Sequence, residues 1–215
     1  MKNVAVILAG SGVYDGSEIN EAILTLLHIA ENGATYQCFA PDIEQLHTIN
    51  HLTGEVMPDK RNVLTEAARI ARGDIKSLIE LDVTQFDALI VPGGFGAAKN
   101  LCDFAIKGAK ANINQDVLNA CKSFAKANKP AGYMCIAPAL IPFIYDNAAL
   151  TIGNDVETAQ ALSTLGAKHI DCAVDGVVID EPNKLVTTPA YMLAESILEA
   201  DAGIAKLVSS VLSIN

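Results

Sequence analysis

The sequence is poor in charge, poorer still in bases, and short of long apolar runs. Each shortage removes a class of function. Only 19% of the 215 residues are charged and 51% are hydrophobic, which argues against disorder and supplies a large buried core. Fifteen Lys and Arg stand against 25 Asp and Glu, for a formal charge of −10. Nucleic acid and anionic membrane surfaces both require clustered bases, so neither is expected as a partner. The most apolar internal stretch, Ala131 to Tyr145, is too short to cross a bilayer and holds Pro138 and Pro142. Met1–Lys2–Asn3 leads straight into the core-strand pattern Val4–Ala5–Val6–Ile7–Leu8. No secretory leader is expected, and the expected location is cytoplasmic.

Cysteine is also used sparingly. Cys38, Cys102, Cys121, Cys135 and Cys172 are odd in number, widely spread and form no Cys-x-x-Cys. Neither a disulfide framework nor a zinc site is expected. Four of them read as small core residues; Cys135 is set apart below. His47 and His51 are four apart, but their segment has no steady helical pattern and offers no third ligand, so no metal is expected.

What is present is an alternation of short β-branched runs with helical patterns, the mark of a mostly parallel α/β fold. The length suits one domain over residues 1–215. Strands are expected at Val4 to Leu8, Thr35 to Ala40, Ala88 to Val91 and Pro130 to Met134. A hairpin is expected from Val177–Asp180 and Lys184–Thr187 around Glu181–Pro182–Asn183. Ser17 reads as the N-cap of a helix to Asn32, closed by Gly33, with Ile19, Ile23, Leu26, Leu27 and Ala30 inward. Further helices are expected over Arg61–Arg72, Ala97–Phe104, Gln115–Ala127, Ile136–Tyr145 and Ala194–Leu212, while residues 41–60 read as irregular. In open parallel sheets chemistry gathers beyond the carboxyl ends of strands. Gly10–Gly16, Pro92–Gly96, Met134–Ile136 and Thr187–Tyr191 all meet that condition.

Gly132–Tyr133–Met134–Cys135–Ile136–Ala137 runs strand, reactive side chain, helix, as in a nucleophile elbow. A following helix would aim free N–H groups at the sulfur and favour the thiolate, lowering its pKa. The alternative is a buried structural cysteine, and spacing leaves both open. Gly94 and Ile136 N–H groups are candidates for an oxyanion hole, although Pro92–Gly96 also reads as a plain turn. Glu18 and Glu21 share a helix face starting at the same sheet edge. Either suits a proton shuttle beside the thiol, and either suits dipole complementation. Gly10–Ser11–Gly12, with Asp42 after the second strand, also offers a nucleotide-binding turn, but the third glycine of that pattern is displaced by Asp15.

These residues resemble the PfpI-like superfamily, relatives of the class I glutamine amidotransferases, and within it the ElbB-type glyoxalases. The likeness covers almost the whole chain. It rests on Gly12–Val13–Tyr14–Asp15–Gly16–Ser17–Glu18–Ile19, Ile49–Asn50–His51–Leu52–Thr53–Gly54–Glu55 and the run from Leu89 to Leu101. Met134–Cys135–Ile136–Ala137–Pro138–Ala139 and the run from Val186 to Leu193 complete it. The resemblance implies a flavodoxin-like three-layer sandwich with a small β-hairpin, Cys135 as nucleophile, and a nearby glutamate, Glu21 first and Glu18 second. It also implies an anion position at the Gly94 and Ile136 backbone, and homodimers. Many relatives carry histidine directly after the nucleophile, where this chain has Ile136. Amidotransferases carry a His-Pro-Glu-like partner where this chain has Thr188–Pro189–Ala190, so a Cys–His–Glu mechanism is not expected. The implied activity is a cofactor-independent glyoxalase acting on small dicarbonyls. A redox or electrophile sensor, or a stress-related accessory protein, is the alternative.

Overall fold

The computed structural model describes residues 1–214. In chain order the strands and helices begin with β1 (Asn3–Ile7), α1 (Ile19–Glu31), β2 (Thr35–Ala40), β3 (Thr48–Ile49), β4 (Val56–Met57) and α2 (Val63–Ile70). Next come β5 (Ile75–Ser77), β6 (Ala88–Val91), α3 (Phe104–Lys107), α4 (Gln115–Lys126), β7 (Ala131–Met134) and β8 (Ala149–Leu150). The chain ends with α5 (Val156–Thr164), β9 (Lys168–His169), β10 (Val178–Asp180), β11 (Leu185–Thr188) and α6 (Ile197–Ser213).

Seven strands form the main sheet in the order β10-β11-β7-β6-β1-β2-β5. All pairs are parallel except β10 with β11, the expected hairpin. The central strands read as unbroken apolar runs because both faces are covered. Val4, Val6 and Leu8 enter one core with Leu26 and Ile29 of α1 and Leu207 of α6. Ala5, Ile7 and Ala9 alternate into the other, with Val117 and Phe124 of α4 and Leu140. The result is the flavodoxin-like three-layer sandwich. No helix among the described residues is long and apolar enough to cross a membrane.

Several local expectations are corrected. Residues 41–60 contain the β3–β4 hairpin, too short to leave an alternating pattern. β5, β8 and α5 carried no recognised signal. Ala97–Leu101 is a π-turn that breaks at Cys102 before α3. The segment after Cys135 is a 3₁₀ helix over Ala137–Phe143, not an α-helix, because Pro138 and Pro142 cannot donate the ladder bonds.

α1 differs most. Its N-cap is Glu18, whose carboxylate accepts from the Glu21 N–H at 2.7 Å. The Ser17 hydroxyl instead accepts from the Ala9 N–H at 2.8 Å. The inward face is also rotated: Ile19, Ile23 and Leu27 are 46, 45 and 46% exposed. Glu21, Ala22, Thr25, Leu26, His28 and Ile29 are the buried residues. Polar anchors set this rotation. Glu21 reaches the sheet edge, and His28 lies 2.6 Å from Asp201 of α6 and 2.8 Å from Glu31.

Candidate active site

β1 is where the strand order turns, with β2 on one side and β6 on the other, so a crevice opens at their carboxyl ends. The loops leaving β1, β6, β7 and β11 are stapled together there. Phe95 N–H donates to Val13 O and Gly96 N–H to Gly16 O, both at 2.8 Å. Glu18 N–H donates to Gly93 O and Cys135 N–H to Thr188 O, both at 3.0 Å. The backbones touch so closely that a Cβ on Gly94, where φ is +89°, would lie 2.3 Å from Glu18 N. The four segments singled out from sequence therefore meet at one edge.

Cys135 has φ +57°, a conformation that costs a non-glycine residue roughly 1–3 kcal/mol. That strain turns its side chain out of the β7 direction. The Gly94 and Ile136 N–H groups and the Glu21 carboxyl are the polar groups that bear on the charge state of its sulfur. Glu21 is fully buried; Oε2 accepts from Gly93 N–H at 2.8 Å and Oε1 from Tyr191 N–H at 3.1 Å. Gly93 is the spacer: a Cβ there would lie 2.4 Å from Cys135 Cβ and 2.7 Å from Glu21 Oε2.

The charge state corrects the expectation of a thiol with lowered pKa. Cys135 is only 7% exposed. Burial first, and then the Glu21 carboxyl, push its thiol well above the usual value, against the pull of the two N–H groups. Burial, then the nearby Glu18 carboxyl, push Glu21 up to about 8. With both groups raised, the pair is mostly protonated at neutral pH, and Glu21 is the first of the two to give up its proton. Glu18 is half-buried, its own pKa raised by burial, and it acts on Glu21 through charge rather than touching the sulfur.

Among the described residues no imidazole joins this group. His28 bridges α1 and α6, His51 Nε2 accepts from Tyr14 N–H at 3.2 Å, and His169 Nε2 accepts from Ile152 N–H at 3.3 Å. The Gly10–Gly16 loop does not offer the nucleotide turn. Its Gly12, Tyr14, Asp15 and Gly16 amides are already bonded, and Glu18 places a carboxylate where phosphate would sit. Asp42 accepts from Asn62 instead. Sequence reasoning missed Gly93 as spacer and the Tyr191 amide as anchor. Both lie in segments it had marked, but their contacts depend on α1's rotation.

A cysteine in a left-handed elbow, two amides at its sulfur and a buried carboxyl on a parallel sheet define an amidotransferase-like α/β protein. No family model matches the chain. A human protein, glutamine amidotransferase-like class 1 domain-containing protein 3, mitochondrial, is 44% identical over 98% of this chain and 82% of its own length. The rat ES1 protein homolog, mitochondrial, is 43% identical over 98% of this chain and 83% of its own. An isoprenoid biosynthesis protein with amidotransferase-like domain from Ehrlichia chaffeensis superposes with TM-score 0.93 at 35% identity, covering 100% and 99% of the two chains. A glyoxalase III from Candida albicans shares the fold, with TM-score 0.66 at 14% identity over 99% and 97%. The chain belongs to the PfpI-like, class I glutamine amidotransferase-like superfamily, beside the ES1-type proteins.

Proposed function

We propose that the protein is a cofactor-independent glyoxalase that converts small dicarbonyls such as glyoxal and methylglyoxal to hydroxy acids. The observation that carries this reading is Cys135 held in the left-handed region with the fully buried Glu21 carboxyl against it across Gly93. The Glu21 carboxylate takes the Cys135 proton as the sulfur adds to one aldehyde carbon, and passes that proton to the resulting oxyanion to give a hemithioacetal. The two amides offer donors to that oxyanion. The Glu21 carboxylate removes the proton from the carbon bearing sulfur and returns it to the neighbouring carbon, while the hydroxyl proton on the first carbon passes to the neighbouring oxygen. Glyoxal thereby becomes a hydroxyacetyl thioester, which water hydrolyses to glycolate and free thiol. The buried setting of Glu21, which keeps its pKa near neutrality, suits both roles. The test is glycolate release from glyoxal, with activity expected in the wild type and lost in Cys135→Ser. Equal turnover by the two proteins removes the proposal. The glyoxalase III among the structural neighbours shares the fold alone and adds no weight to the substrate.

The Glu21 carboxyl against Cys135 supports a second reading, a redox or electrophile sensor, because a neighbouring carboxyl suits a stable sulfinic acid. Peroxide would take the sulfur to the sulfinic acid, consuming two equivalents. Selective oxidation of Cys135 by mild peroxide, seen by mass spectrometry, with no dicarbonyl turnover would favour it.

The reading includes a homodimer. Ile19, Ile23 and Leu27 form an exposed apolar stripe on α1, which begins at the site, and a second copy can bury it by two-fold pairing. Sedimentation analysis should give a dimer that Ile23→Glu dissociates; a wild-type monomer rejects it.

A further inference from the structure

Phe95 and Ile136, the chain neighbours of Gly94 and Cys135, line an open cleft of about 360 Å³. Phe95, Phe104, Ile136 and Ala161 form its apolar walls, and Glu157 stands on its lining. Two of these walls adjoin the elbow: Phe95 follows Gly94 directly, and Ile136 follows Cys135. Phe95 is 46% exposed, and Lys99 Nζ sits 5.2 Å from its ring centroid. A dry apolar cavity of about 150 Å³ already accepts a benzene ring. The cleft therefore has room for an aryl or branched alkyl group next to a carbonyl held at the sulfur.

We propose that this cleft is the substituent subsite of the Cys135 centre, taking an uncharged aryl or branched alkyl group attached to the electrophile. The proposal rests on Cys135 being the nucleophile, and it makes arylglyoxals better substrates than glyoxal.

The test reads the subsite without requiring turnover. Native protein is alkylated with iodoacetamide and with N-benzyl-iodoacetamide, and Cys135 modification is followed by peptide mass spectrometry. The rate ratio is normalised to that of free glutathione. In the wild type the benzyl reagent should be favoured about tenfold, the scale of a modest apolar pocket contact. Ala161→Phe fills the cleft and should bring the ratio to about one. Ala105→Trp, at an exposed position on the lining, should do the same and guards against misfolding of the first variant. A wild-type ratio near one, or a ratio untouched by both substitutions, overturns the subsite. Cys135 resisting both reagents in the native protein overturns the subsite and the nucleophile together. A tenfold ratio that both variants abolish, without glycolate release, supports the subsite while the glyoxalase reading falls.

Discussion

Cys121 in α4 and Cys135 after β7 are both buried thiols in neighbouring elements, yet their surroundings share little. Cys121 sits mid-helix in the core, and burial pushes its thiol up to about 12. The neighbouring Tyr133 and Tyr145 hydroxyls have no well-formed hydrogen bond. Cys135 is buried too, but its backbone is held in the left-handed region and its sulfur receives two amides and a carboxyl. Burial raises the pKa of either thiol. Only polar partners that can exchange a proton convert that penalty into reactivity. The difference is made by backbone: a glycine spacer, a strained turn and the N-terminus of α1.

The sharpest way to break the contrast is to remove the proton partner. Glu21→Gln should lower dicarbonyl turnover about 10²–10⁴-fold, the usual range for a general base. The same variant should change the pH dependence of stability. Folded Glu21 titrates near 8 and the unfolded side chain near its ordinary 4.5. Between those values the folded state holds a proton that the unfolded state has lost. Stability therefore falls as pH rises through that window, by up to about 1.4 kcal/mol per pH unit, and is highest below it. Urea titrations from pH 5 to 8 should show this slope in the wild type and its loss in Glu21→Gln. Parallel slopes in the two proteins would show that Glu21 is not the group that holds this proton in the folded state.

Next in size is the spacer. Gly93→Ala drives a methyl group against Cys135 Cβ and Glu21 Oε2, at 2.4 and 2.7 Å. Displacing reacting groups by about 1 Å costs on the order of 100-fold in rate, and overpacking costs about 1–3 kcal/mol. Turnover and melting temperature should both drop. A variant that melts lower yet turns over normally would show that the thiol and carboxyl need not be this close.

The sheet and the elbow were legible because they depend on local pattern. Ala88–Val91 and Val4–Leu8 are buried on both faces and read as such, and Met134–Cys135–Ile136 marks a strand that stops at a reactive side chain. α1 was read wrongly because apolar periodicity assumes that the greasy face goes inward. Here Glu21, Thr25 and His28 go inward, each with a polar partner supplied from another part of the chain or from its own helix. Ile19, Ile23 and Leu27 are left outside. The choice between Glu18 and Glu21 turned on that rotation, since the residue that caps the helix cannot also reach the sulfur. The thiol's charge state was missed for a related reason. Proline converts the expected α-helix into a 3₁₀ segment, and burial outweighs the two amides that remain.

The mildest test removes the other thiol. Cys121 shares a core cluster with Val117, Phe124 and Tyr133, and among the described residues the groups acting on its thiol are the Tyr133 and Tyr145 phenols, with no carboxyl. Cys121→Ala should cost about 1 kcal/mol and lower the melting temperature by about 2–4 °C, while dicarbonyl turnover stays at the wild-type level. In native protein iodoacetamide should modify Cys135 and leave Cys121 untouched until urea unfolds the chain. If Cys121 reacts as fast as Cys135 under native conditions, elbow geometry and polar partners confer no advantage over plain burial, and the distinction between the two thiols fails.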